Sequence, residues 1–194
     1  MPVVVNGVKQ LQKAMRDVEP QLNKQMSKDI KTAMLIVRDK ARGYLPQQNE
    51  VLSGWGKGTA SADTIKYRPF PPYDYSLAKN LIKYNAGTNR RNRSGFAAAF
   101  YVANISAPGA IFETAGRKNP RGSSSSESLN PNAGIHFIES AESLSQMKGQ
   151  NKQKGRLIYR AWSEESNRVI PAVVDAINTV ATDFNNKTQL TRAA

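Results

Sequence analysis

Between Pro20 and Pro46 the apolar residues Leu22, Met26, Ile30, Ala33, Met34, Val37, Ala41 and Tyr44 recur at steps of three and four. That spacing places them on one stripe of an α-helix. Lys24, Gln25, Lys28, Asp29, Lys31, Arg38, Asp39, Lys40 and Arg42 fill the remaining surface as a solvated face. Pro20 suits a first turn, where no intrahelical N–H is lost, and Gly43 and Pro46 mark the end. At about 1.5 Å per residue such a helix is roughly 35 Å long. Met34, Leu35, Ile36 and Val37 wrap more than one face, which favours a core helix with protein on both sides over a helix lying on a membrane surface.

Ahead of it, Val3 to Val5 is a short β-prone run. Val8, Leu11, Met15 and Val18 predict a first short helix capped by Asn6. Residues 46–78 keep no period. They contain the turn-rich Leu52-Ser53-Gly54-Trp55-Gly56, with Trp55 as a plug for the core or for a neighbour. Tyr67, Phe70, Tyr73 and Tyr75 then alternate with Pro69, Pro71 and Pro72, which predicts an extended segment. Its rings either pack back on the domain or dock as an arm on another subunit. The prolines argue against a sheet that stacks bases.

A β region follows. Leu81 to Asn85 is one strand candidate. Phe96, Ala98, Phe100 and Val102 alternate with Ala97, Ala99, Tyr101 and Ala103 in the period of two expected of a second. The loop between them, Ala86 to Gly95, carries Arg90, Arg91 and Arg93 at its tip. Ala110 to Thr114 reads as a further short strand. Residues 116–134 are poor in apolar positions and read as flexible. Ile135 to Leu144 reads as a turn or two of helix, and 147–156 as a second flexible loop. Arg156 to Tyr159 reads as a strand. Trp162, Val169, Val173, Ile177, Val180 and Phe184 give a final helix that kinks at Pro171 or starts just before it, and TQLTRAA reads as a frayed tail. The expected fold is α+β: one domain over 1–194, an antiparallel β-sheet packed against a long N-terminal helix and a C-terminal helix. Long extended loops are expected at about 46–78, 116–134 and 147–156.

Charge changes this picture most. The chain of 194 residues has 28 Lys+Arg against 15 Asp+Glu, a net of +13, which implies an acidic partner. Three basic clusters stand in candidate loops: Arg90, Arg91 and Arg93; Arg117, Lys118 and Arg121; Lys148, Lys152, Lys154 and Arg156. None sits on a DNA-reading helix or sheet motif. They are either solvated loops, some facing acidic protein, or loose phosphate contacts that ignore sequence and weaken with salt.

Candidate chemistry is sparse. Without cysteine there is no disulfide framework, thiolate metal site or thiol nucleophile. The single histidine, His136, lies in an apolar stretch and reads as structural. Glu139, Glu142, Glu164 and Glu165 read as solvated helix faces, the last two also suiting a helix N-terminal turn. No phosphate-loop, dinucleotide or nucleophile-elbow motif occurs. The opening MPVVVNGVKQ lacks the pattern of a secretory leader, and no apolar run is long enough to span a membrane. The expectation is a protein without catalytic residues, cofactor, metal or small-molecule substrate.

The order of parts resembles the HK97-type tail-component family of head–tail connector and tail-completion proteins of long-tailed bacteriophages. Leu52-Ser53-Gly54-Trp55 stands where that family has a Ser-Gly-aliphatic turn after its long helix. Phe112-Glu113-Thr114-Ala115-Gly116 stands at its apolar-Glu-x-Gly-like segment in the sheet. Arg156 to Ala161 stands at its Arg-Pro-Phe-type approach to the last helix. Against that pattern, an alanine precedes the glycine of the second segment, the third lacks the prolines, and 117–155 reads as an insertion. The resemblance implies a structural, non-enzymatic virion protein, made in the host bacterial cytoplasm, that forms a homo-oligomeric ring, usually of six. Its expected partners are stopper or adaptor, tail terminator or tail tube proteins, and genomic double-stranded DNA passing through the centre. The competing expectations are a tail terminator or minor tail protein of related fold, and a free-standing, sequence-independent nucleic-acid-binding protein.

Overall fold

The computed structural model describes residues 20–51, 55, 71–86, 100–121 and 130–193, with side chains to residue 186. The expected strand at Val3 to Val5, the first short helix, Leu52 to Gly54, Gly56, Tyr67, Phe70, Phe96, Ala98 and the cluster Arg90, Arg91 and Arg93 lie outside the described residues. Within them the chain is mixed helix and sheet. The elements are α1 (Pro20–Gly43), α2 (Tyr75–Asn80), β1 (Ile82–Ala86), β2 (Phe100–Asn104), α3 (Ala107–Thr114), α4 (Ala133–Leu144), β3 (Lys148–Gln150), β4 (Gln153–Gly155) and α5 (Ile158–Ala193). In place of one sheet there are two small ones, β1–β2 and β3–β4. The chain divides into two compact units: Met1–Val37, Tyr84–Val102 and Glu165–Ala194 form the first, Arg38–Lys83 and Ala103–Glu164 the second.

The first unit is built by the apolar stripes. Met26 and Ile30 of α1 are buried with Ala176, Ile177 and Val180 of α5, and Leu22, Met34, Phe100, Val173 and Phe184 pack around them. The Phe100 ring stacks on Tyr84 at 6.4 Å with the planes 12° apart. Each fully buried aliphatic side chain contributes about 1.5–3 kcal/mol, so this contact accounts for the helical register of both segments. Helix α5 runs through Pro171. The ring removes one N–H and leaves the Asn167 carbonyl without its intrahelical donor; Asn167 is exposed, so water is at hand for that carbonyl. The helix does not start just before Pro171, because it begins at Ile158, and it continues to Ala193 in place of the expected frayed tail.

The second unit has an aromatic and polar centre. Trp55, Tyr73 and Phe112 are buried with Leu45, Ile82 and Leu157. Trp55 lies 5.0 Å from both the Tyr73 and the Phe137 ring, tilted on one and edge-on to the other. Its indole Nε1 donates to the Pro71 carbonyl at 2.9 Å, and the Tyr73 hydroxyl donates to the Pro46 carbonyl at 2.5 Å. Arg42 turns back from the end of α1 and donates from Nε and Nη2 to the Ile82 carbonyl at 3.1 and 2.8 Å.

Four local expectations change here. Arg156 to Tyr159 is not a strand, since Ile158 and Tyr159 already open α5. Residues 107–114 form a helix, not a strand. Ser106 caps it, its hydroxyl accepting from Gly109 N–H at 3.1 Å, Pro108 lies in the first turn, and Pro108, Gly109, Phe112 and Glu113 bury one helical stripe. Residues 133–144 form a full helix of 12 residues. Residues 148–155 form a paired hairpin in place of a flexible loop, with Lys148 opposite Gly155 and Gln150 opposite Gln153. Its turn places Asn151 at φ 51°, a left-handed conformation that asparagine tolerates better than most residues.

Candidate functional site

The N-terminus of α5 has no cap of its own sequence. Its first N–H groups are met by a carboxylate from another helix. Glu113, near the end of α3, accepts from the backbone N–H of Leu157, of Ile158 at 3.2 Å and of Tyr159 at 3.0 Å. Glu113 is 5% exposed. Burial pushes its carboxyl up, against the pull of the three N–H donors and of the Arg117 guanidinium. The partial positive charge of the helix start lies where the carboxylate sits. A Cβ on Gly155 would run into Glu113 Oε1, so the close approach requires glycine there.

The opposite exchange happens at this same C-terminal end of α3. Arg156, the residue before Leu157, is 1% exposed. Its Nη1 donates to the Phe112 and Ala115 carbonyls at 3.3 and 2.6 Å, and its Nη2 to Glu142 Oε2 at 2.8 Å. The last carbonyls of α3 thus receive a cation. The two helix ends cap each other, an acid from α3 on the start of α5 and a base from the start of α5 on the end of α3. Ser145 closes the arrangement, donating to the Arg156 carbonyl at 2.9 Å and accepting from Arg160 Nη1 at 2.9 Å.

One turn further along, Glu164 gathers a second cluster. It accepts from the Tyr44 hydroxyl and pairs with Lys40 at 3.1 Å, Lys148 at 2.8 Å and Arg160 at 3.2 Å. The Arg160 guanidinium also stacks 4.1 Å from the Tyr44 ring centre. Burial opposes ionisation of Glu164, but Lys148, Tyr44, Lys40 and Arg160 together hold its carboxyl well below the usual carboxylate range. Burial, and then the same hydrogen bond, push the Tyr44 hydroxyl up. Every oxygen of Glu113 and Glu164 accepts at least one hydrogen bond or ion pair, so both carboxylates hold helices in place.

The residues expected at a partner surface separate into groups. Lys118, Arg121, Lys152 and Lys154 are exposed. Lys148 is exposed but tied to Glu164. Arg117 is half-buried with its guanidinium 5.0 Å from the Tyr159 ring. Arg156 is removed from the list of surface contacts, because it is a buried cap. Tyr73 is likewise core and not an arm, while Tyr75 is half-buried at the first turn of α2 with Lys79 5.4 Å from its ring. His136 and Glu139 are exposed on α4, 3.8 Å apart. Glu142 and Glu164, expected on solvated faces, carry ion pairs, and Glu164 lies in the second turn of α5 and not at its start.

An open cleft of about 760 Å³ is lined by Gln47, Gln48, Tyr73, Asp74 and Tyr75 among others. Its polar groups are largely used: Gln48 bridges the Tyr73 carbonyl and Tyr75 N–H at 2.9 Å each, and Asp74 caps α2. Among the described residues no group of three His, Cys, Asp or Glu is placed to hold a metal, and no helix is long and apolar enough to cross a membrane.

Sequence reasoning missed Glu113 as a cap. Its one signal was isolation: it is the single acid between Asp74 and Glu127, set in an apolar run. Compared with protein-family profiles, with curated proteins and with solved structures, the chain matches none of them.

Proposed function

We infer that this chain is a structural subunit of the head–tail neck of a long-tailed bacteriophage, similar to the HK97-type tail-component proteins, and that it works as a homo-oligomeric ring around genomic double-stranded DNA. The observation that carries this reading is the mutual capping of α3 and α5. Two of the three segments that carry the resemblance, Phe112 to Gly116 and Arg156 to Ala161, lie far apart in sequence and meet here through Glu113 and Arg156. A family pattern that keeps a glutamate in one segment and an arginine in the other has a physical reason in this contact, even though the first segment is helix and not strand.

One further feature suits assembly. Leu77 and Ile105 are large apolar residues at 51% and 63% exposure, and such surface gains from being covered by another copy.

The test is light scattering on the purified chain, alone and mixed with tail tubes, at low and high salt. A ring, or a monomer that becomes a ring on tubes, is the expected outcome. A monomer at every salt concentration that ignores tubes would refute the neck reading.

A further inference from the structure

We propose that the β3–β4 hairpin is a preformed contact for the phosphate backbone of double-stranded DNA, made by Lys152 and Lys154 with the amide of Gln150 beside them. The inference rests on the reading that DNA passes this protein, and it names the element that meets it.

Charge isolates the hairpin. Between Glu142 and Glu164 the chain carries no acid. Of the five bases in that interval, Arg156 is buried as a cap, and Lys148 and Arg160 are paired with Glu164. Lys152 and Lys154 are exposed and have no ion pair among the described residues. Lys154 stands opposite Gly149 across the ladder, so its cross-strand partner sets no side chain beside it.

The hairpin is also held in place at its base. Gly155 lies under the Glu113 carboxylate, Lys148 is tied to Glu164 at 2.8 Å, and the Arg156 carbonyl accepts from Ser145. At the turn, Gln150 pairs with Gln153 and Asn151 takes the left-handed conformation. A contact already ordered loses less entropy on binding than a flexible basic loop.

Composition selects nucleic acid over an acidic protein. From Lys148 to Gly155 the sequence is Lys-Gly-Gln-Asn-Lys-Gln-Lys-Gly, without one apolar or aromatic side chain. A protein interface needs a buried apolar or aromatic centre and is depleted in lysine. A phosphate backbone needs cations and amide donors, which position the duplex without reading it. The net +13 of the whole chain adds long-range attraction to any polyanion.

The experiment is fluorescence anisotropy of the full chain with labelled mixed-sequence duplexes across a range of salt concentrations. The wild type is compared with Lys152→Gln/Lys154→Gln, with circular dichroism confirming that the variant is folded. Two lost phosphate contacts at about 0.9 each should flatten the plot of log affinity against log salt by about 1.8, equally for duplexes of different sequence. An unchanged slope overturns the proposal. So does a wild type that binds polyglutamate while ignoring duplex, which would make the partner an acidic protein. A flattened slope in a chain that forms no ring supports the hairpin assignment while refuting the neck reading, and an unchanged slope in an intact ring does the reverse.

Discussion

In the first unit the contact between α1 and α5 is made by Met26, Ile30, Ala176, Ile177 and Val180, none of which has a polar group to satisfy. In the second unit the positions that fix the helices are Glu113, Arg156 and Glu164, with at least nine hydrogen bonds and ion pairs among them. The difference teaches how each region responds to change. Apolar packing is non-directional and tolerates a swap of similar volume. A buried charge held by directed donors tolerates almost none, because removing one partner strands the others.

The largest expected effect is at Glu113. Glu113→Ala leaves three N–H groups of the α5 start without an acceptor and should destabilise the protein by about 3–5 kcal/mol, read by urea unfolding. Glu113→Gln keeps the volume but turns an NH2 towards N–H donors. If that variant unfolds at the wild-type midpoint, the contrast between the units collapses. Arg156→Met comes next. It strips the α3 carbonyls of their donor and releases Glu142, for an expected loss of about 3 kcal/mol. In the first unit Ile30→Val should cost only about 0.5–1.5 kcal/mol, and a loss as large as that of Arg156→Met would show that the first unit is the less tolerant one.

Acidity separates the two carboxylates by sign. The folded state holds Glu164 below its ordinary value of 4.5, so its contribution is present above that pH and is lost as pH falls. Glu113 is pushed above 4.5, so its native form binds a proton that the unfolded form releases. Its stabilisation is present below pH 4.5 and is lost as pH rises. Unfolding measured at a series of pH values should show Glu164→Gln flattening the acid limb, with Glu113→Gln reducing the decline above 4.5. The smallest effect belongs to the hairpin tip, where Lys152→Gln/Lys154→Gln should change stability by less than about 0.5 kcal/mol.

The apolar stripe of α1 is legible in the sequence: Met26, Ile30, Ala33, Val37 and Ala41 are buried, and Leu22, Met34 and Tyr44 are half-buried. The strand at 82–86 was legible from its neighbours in sequence. What stayed hidden was non-local. The start of α5 was placed late because its cap, Glu113, is 44 residues away from Leu157, and no local signature marks such a boundary. Ala110 to Thr114 was read as a strand because too few residues precede Gly116 to display a period, although Ser106 and Pro108 do announce a helix. The cap position of Arg156 was hidden by its company. It follows three lysines, and only burial distinguishes it from them.

The mutual capping of α3 and α5 also has a consequence for chain length. It pins residue 113 to residue 157 and turns everything between into a closed excursion that leaves and returns at one point. Closure entropy grows only with the logarithm of loop length, about 0.6 kcal/mol for each doubling. The span from 117 to 155 can therefore lengthen or shorten over evolution at little thermodynamic penalty, provided Phe137 keeps its place against Trp55 and Glu142 and Ser145 keep theirs beside Arg156. The clasp at its base makes that span an exchangeable cassette, in which a basic hairpin is one of many things the same two helix ends can hold out.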